Sequence, residues 1–156
     1  MQKIQLDKTY NFDVPNVSFG DLSQDEVYDI LQDGRHASPF MEKQLTKWFP
    51  ELKHITGNKD HDHLWGDQKL DAKNFTKGGL KFMPSKMLGT GRTVDLSEVK
   101  KKASELIYIC CDIVEFPKVR IRFIDGLKLL SQYPTATVPV RDREMFFACD
   151  REALAA

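Results

Sequence analysis

The chain has 156 residues, 41% of them hydrophobic and 29% charged, and its 23 basic and 23 acidic side chains cancel to zero formal charge. That length supports one domain with a real core. The balanced charge excludes nucleic-acid binding through a whole-molecule field and leaves only local basic patches for it.

Residues 1–20 carry several turn formers and little periodicity, and read as an arm or an edge strand. Ser23 and Glu26 fit a capping box that opens a helix with a Val27, Ile30 and Leu31 stripe, and Gly34 is its expected stop. Ser38-Pro39 reads as the cap and first position of a second helix. Met41, Leu45, Trp48 and Leu52 follow helical spacing, and Pro50 kinks or ends the run.

The stretch from Gly57 to Lys73 reads as a hairpin turning at Gly66-Asp67, where a leading Gly suits a type II′ turn. Trp65 then faces Gln68, and counting back sets Asp62 directly opposite Asp71. Opposed residues have Cβ atoms roughly 4.5–5.5 Å apart, and like charges there destabilise a sheet. A divalent cation is the natural compensation. Lys73 projects from the same strand face as Asp71. Two acids and a lysine on one face suit metal-assisted hydrolysis.

Residues 76–93 are rich in Gly, Lys and Met and read as an irregular loop. Asp95 and Glu98 cap a helix running through Ala103. Ile107 to Val114 is apolar but for Asp112, as expected of a central buried strand. A turn at Glu115 to Lys118 leads to an alternating strand, Val119 to Phe123, whose Arg120 and Arg122 are expected on an exposed face. A short element follows Asp125-Gly126, and Met145 to Phe147 reads as a last strand. The order predicts an α/β (α+β) domain around a mixed sheet flanked by helices.

Three cysteines, Cys110, Cys111 and Cys149, without a CxxC argue against a disulfide framework or a structural zinc site. Cys110 and Cys111 are expected as buried thiols in a reducing compartment. The N-terminus lacks a signal-peptide core, and no apolar run approaches the ~20 residues that span a bilayer. A cytoplasmic protein is expected.

With these elements placed, the chain resembles the PD-(D/E)XK nuclease superfamily, the restriction-endonuclease-like fold. In that superfamily a helix with an acidic residue precedes a hairpin carrying Asp and (Asp/Glu)-x-Lys, and a helix and further strands complete the sheet. Asp62 matches the first acid, Asp71 the second, Lys73 the lysine and Glu42 the helix acid. His61 stands where the family's proline precedes the first acid. The resemblance covers roughly residues 38–123 in element order and implies a single nuclease domain over 1–156. It implies a Mg²⁺-dependent endonuclease, with Mn²⁺ able to substitute, that hydrolyses double-stranded DNA in the sequence-specific manner of restriction or homing enzymes, including phage-encoded ones. Asp62, Asp71 and the Ala72 carbonyl would hold the metal, and Glu42 would reach it through water or orient Lys73. Lys73 would position the attacking water, since a lysine acts as a base only when burial or charge lowers its pKa. A homodimer or higher homo-oligomer would enlarge the DNA contact of so short a chain.

Lys77, Lys81, Ser85, Lys86 and Arg92 in the loop are candidate DNA contacts, with Thr90 beside them, and the loop glycines would let the backbone approach phosphates. Lys100 to Lys102 read as the wet face of a helix. A zinc hydrolase on Asp60-His61-Asp62-His63, with His36 or His54 folding back, is the sharper rival. Strand alternation weakens it by turning His61 and His63 away from Asp62. The broader alternative is a non-enzymatic α/β nucleic-acid-binding or protein-interaction domain in which the charged hairpin is a salt-bridge cluster.

Overall fold

A computed structural model describes residues 3–57, 60–89 and 91–148, except for the side chain of Ser85. Thr90 and Cys149 lie outside the described residues. The elements in chain order are β1 (Thr9–Asp13), α1 (Gln24–Leu31), α2 (Gly34–Trp48), β2 (Leu52–His54), β3 (His63–Trp65), β4 (Gln68–Phe75) and β5 (Leu80–Lys81). Then come α3 (Leu96–Glu105), β6 (Leu106–Asp112), β7 (Lys118–Asp125), α4 (Gly126–Gln132), β8 (Thr137–Val138) and α5 (Arg143–Phe146). The main sheet is mixed and six-stranded, in the order β1-β7-β6-β4-β3-β2, and β5 pairs with β8 apart from it.

β2, β3 and β4 form an antiparallel meander. β4 then pairs parallel to β6, and the chain crosses between them through α3. All seven residues of β6 are buried, which is what a strand covered on both faces requires. One apolar layer packs Leu70, Ile107, Ile109 and Ile121 against Val27, Leu31, Met41 and Leu45 of α1 and α2. The other packs Phe75, Tyr108, Cys110 and Ile124 against Val99 and Ala103 of α3 and Leu129 of α4. Phe49, fully buried just after α2, makes edge-on contacts with Tyr10 and Phe123 at 5.0 and 4.9 Å. Burying each such side chain stabilises the fold by roughly 1.5–3 kcal/mol.

Local signals explain most boundaries. Ser23 and Glu26 close a reciprocal capping box on α1. Asp95 accepts from the Ser97 and Glu98 amides at the start of α3. The β3–β4 turn has Gly66 at φ 59°, the left-handed conformation a type II′ turn asks of its first central residue. α2 departs from expectation. Asp33 caps it by accepting from the Arg35 amide, so the helix starts at Gly34 and Pro39 falls inside it. It ends at Trp48, before Pro50, and Leu52 belongs to β2 rather than to the helical stripe.

Three further expectations are corrected. Met145 to Phe147 form no strand: Arg143–Phe146 is a short helix, with Phe146 and Phe147 buried in the second apolar layer. Residues 76–93 are not wholly irregular, because Leu80 and Lys81 pair with Val138 and Thr137, and Leu80, Phe82, Met83 and Met87 are buried. Arg120 and Arg122 do not face solvent. Arg122 is buried and pairs with Asp7 at 2.8 Å, and Arg120 pairs with the buried Asp112 at 2.8 Å. The buried charge of Asp112 also takes Arg143 at 3.0 Å. Cys110 and Cys111 are free and buried, as expected, and burial pushes the Cys110 thiol up to about 12. Among the described residues, no helix is long and apolar enough to cross a membrane.

Gly126 opens α4 where that helix meets the end of α3. A Cβ there would lie 2.2 Å from the Ala103 carbonyl oxygen and 2.8 Å from that of Leu106. Both obstacles are backbone and cannot swing away. Gly126→Ala is therefore expected to cost about 1–3 kcal/mol as an overpacking change. Denaturant unfolding of the variant measures it, and an unchanged midpoint would contradict this packing.

Candidate functional site

The β3–β4 register runs His63↔Leu70, Leu64↔Lys69 and Trp65↔Gln68. The regular ladder ends there: the Asp62 amide donates to the Leu70 carbonyl at 3.0 Å, so the strand bulges at Asp62, which lies near Asp71 without being its directly opposed ladder partner as the counted register expects. The carboxyl groups of Asp62 and Asp71 lie close enough to interact through hydrogen bonding and charge. Two carboxylates cannot share a hydrogen bond unless one holds a proton. Burial, followed by the hydrogen bond and the charge of Asp71, pushes the Asp62 carboxyl up to about 8. The charge of Glu42 adds to the rise, and the Ala72 amide, which donates to Asp62 Oδ2 at 3.0 Å, opposes it.

Asp71 is only 5% exposed. Lys73 Nζ lies 3.2 Å from its Oδ2, and Lys102 Nζ of α3 lies 3.8 Å from the same atom. Despite these ion pairs, Asp71 Oδ2 is buried without a directed hydrogen bond. It is therefore a strong acceptor held short of a partner. Along β4 the backbone groups alternate in direction. Leu70 accepts from Asp62 at the β3 edge, so the N–H and C=O of Ala72 face that same edge. The amide is taken by Asp62 Oδ2, and the carbonyl points toward the same carboxyl pair.

These groups lie in a cleft of about 470 Å³ lined by Ser38, Glu42, Asp60, Asp62, Asp71, Lys73, Lys86, Glu98 and Lys102, among others. Glu42 reaches it from α2, but its carboxylate pairs with His54 Nε2 at 3.4 Å. Ser38 fixes α2 to β4 by accepting from Asn74 Nδ2 at 2.9 Å.

His63 turns to the α2 side of the sheet, as strand alternation predicts. It is fully buried, and its Nε2 bonds the Glu42 backbone carbonyl at 2.8 Å. Burial lowers its pKa and keeps the ring neutral. His61 is also buried, whereas His36 is exposed on α2. Among the described residues, no three His, Cys, Asp or Glu side chains form a ready-made metal-binding group. Magnesium asks less, because it takes one or two carboxylates and keeps several waters.

Comparison with known proteins gives no match. No family model, no curated protein and no solved structure matches this chain. The arguments about the site therefore rest on its own chemistry.

The loop candidates divide. Lys77 and Lys81 are exposed, with Lys81 on β5. Lys86 is tied to Glu98 of α3 at 2.5 Å, and the Arg92 guanidinium donates to the Lys86 carbonyl at 2.9 Å. Those two side chains brace the loop over the cleft. The backbone of Ser85 opens a 3₁₀ turn at Ser85–Met87. Lys102, expected on the wet face of its helix, and Glu98, expected only as part of the helix cap, both line the cleft. The signal was present: they are four residues apart and each directly precedes a buried stripe residue, Val99 and Ala103. Such positions flank a helix's apolar stripe rather than oppose it.

Proposed function

We propose that this chain is a divalent-metal-dependent endonuclease that hydrolyses phosphodiester bonds in double-stranded DNA, in a sequence-specific, restriction-like or homing-like manner. The observation that carries this reading is the contact between the Asp62 and Asp71 carboxyl groups at the floor of a cleft, beside Lys73. Two interacting acids, Asp71 buried and Asp62 half-buried, are costly to a fold unless a cation lies between them. The element order supports the same reading. A helix bearing Glu42, a hairpin carrying Asp71 with Asp62 at its start, and then a helix and further strands follow the order of elements in the restriction-endonuclease-like resemblance.

The donor set fits Mg²⁺ or Mn²⁺, because Asp62, Asp71 and the Ala72 carbonyl offer only hard oxygen. Asp71 Oδ2 also has an unmet capacity to accept. Glu42 would act through a water. A bound divalent ion would acidify a water and polarise the scissile phosphate. Lys73, 3.2 Å from Asp71, orients that water and balances charge on the phosphoryl oxygens. Lys102 adds a second positive charge from the opposite wall. Asp62 must release its proton to hold a cation, so activity is expected to rise with pH, the more so at low cation concentration. A homodimer or higher homo-oligomer would present two such sites to the two DNA strands.

Incubation of supercoiled plasmid with the protein and Mg²⁺ or Mn²⁺ tests the proposal. Nicked or linear product that EDTA suppresses is expected. A folded protein inert on duplex, branched and single-stranded DNA with either ion would remove it. The Asp62–Asp71–Lys73 group would then be a structural salt-bridge cluster in an interaction domain.

A further inference from the structure

The carboxylate cleft is the middle of three. On one side it shares Asp60, Glu98 and Lys102 with a cleft of about 310 Å³. On the other it shares Ser38, Ala72 and Lys73 with a cleft of about 470 Å³. The three clefts adjoin one another through these shared residues, with the one that holds Asp62 and Asp71 in the middle. The two outer clefts, its arms, differ in charge. The arm beside α3 is lined by Lys69, Lys101 and Lys102 against Asp60, Glu98 and Glu105, three charges of each sign. The arm between the start of α2 and β5 is lined by Arg35, Lys73 and Lys81 against a single carboxylate, Asp33. That carboxylate caps α2 and is already held by Arg35 at 3.1 Å. Among the described residues, Lys81 meets no carboxylate. The wall of this arm adds the Asn74 amide and the backbone at Gly78 and Gly79.

A polyanion lying along the three clefts gains Coulomb energy in the second arm and none on balance in the first. We propose that the α2–β5 arm is a phosphodiester subsite that grips the nucleic-acid backbone on one side of the scissile phosphate, with Lys81 and Arg35 as its principal contacts. The other side is left without a phosphate track. This rests on the endonuclease reading and adds a polarity to it. Lys73 stands at the junction of the arm and the cleft, so backbone held by Lys81 and Arg35 leads directly onto Asp71.

The test separates binding from cleavage. Affinity for a labelled DNA duplex is measured with Ca²⁺ in place of Mg²⁺ over a series of salt concentrations. The double variant Arg35→Gln/Lys81→Gln is expected to bind roughly tenfold more weakly, with a log–log salt slope shallower by about 2. Lys69→Gln/Glu105→Gln, which leaves the charges of the other arm balanced, is expected to change neither. Phosphate ethylation should interfere with binding on one side of the cut only. Equal losses from both double variants, or no loss from Arg35→Gln/Lys81→Gln, overturn the polarity. If cleavage of plasmid persists in that case, the endonuclease reading stands without it. A wild-type protein that neither binds nor cuts removes both.

Discussion

Asp71→Asn is expected to leave the fold in place and lower DNA cleavage by about a thousandfold or more, the scale of losing one preorganised electrostatic element from an active site. The replacement keeps the side chain's shape at a position that is 5% exposed, so it opens no cavity. It removes the one carboxylate that touches Asp62, Lys73 and Lys102 together. Lys73→Ala is expected to cause a comparable loss. Lys102→Ala should cost less, because its amino group sits 3.8 Å from Asp71 whereas that of Lys73 sits at 3.2 Å. Single-turnover cleavage rates rank the three variants. Circular dichroism and unfolding midpoints establish that each is folded. If the cluster were only structural, the ranking would follow stability instead, and a folded Asp71→Asn protein would cut as fast as the wild type.

This outcome matters because the sequence motif is short, and D-x-K recurs by chance. What makes these acids unusual is their position rather than their type. Exposed carboxylates at opposed positions relax away into water. Here α2 crowds one face of β4 and α3 the other, and Asp71 is shut in beside Tyr108 of β6. Asp71 is enclosed, and Asp62, half-buried, is held by the Ala72 amide. The pair can lower its energy by sharing a proton, by drawing in the two lysines, or by binding a cation. The lysines are already drawn in, at 3.2 and 3.8 Å from Asp71, and a cation would take the place of a proton between the two acids.

How much of this was legible beforehand follows from the range of the interactions. The Trp65↔Gln68 register is set by a two-residue turn and needs no tertiary information, so the pairing back to His63↔Leu70, which brings Asp62 near Asp71, could be counted out along the chain, whereas the bulge at Asp62 could not. The cap at Ser23 and the buried run of β6 are likewise local patterns. The errors arise where a distant partner decides. Arg122 alternates with apolar neighbours like an exposed residue, yet it is buried because Asp7, 115 positions away, supplies its counter-charge. Met145 to Phe147 has strand-like composition, but both phenylalanines are used by the second apolar layer. The α2 start was misplaced because Ser38-Pro39 is a good helix opening, and Asp33, five residues earlier, caps better in context. Lys86 and Arg92 read as free cations because nothing in their local sequence shows that Glu98 and the Lys86 carbonyl would engage them. Glu42 was placed on the right helix, but its pairing with His54 depends on β2 lying alongside.

In EDTA, the protein is expected to lose stability as pH rises from about 6.5 to 8.5, and added Ca²⁺ or Mg²⁺ should restore it more at the upper end. The sign follows from the folded-state pKa of Asp62, which lies above its ordinary value of 3.8, at about 8. The folded state therefore holds this proton more tightly than the unfolded chain does. The stabilisation is complete below pH 3.8 and is lost as pH climbs through 8. His63 works in the opposite sense. Its pKa is lowered from 6.5 by burial, so its contribution is present above 6.5 and is lost as pH falls. Above 6.5 the His63 contribution is constant, and Asp62 alone shapes the curve. Asp62 is only partly screened from water, so the discounted magnitude is on the order of 2 kcal/mol, or several degrees in Tm for a chain of this length. Asp62→Asn cannot ionise and should flatten the curve. A cation that replaces the shared proton must bind more tightly as pH rises, by up to tenfold per unit while Asp62 remains protonated, and its stabilising effect grows with the ratio of its concentration to Kd. Thermal unfolding of wild type and Asp62→Asn, with EDTA or with divalent ion across this interval, reads both effects. A wild-type Tm that ignores both pH and cation would mean that the two carboxyl groups neither share a proton nor await a metal.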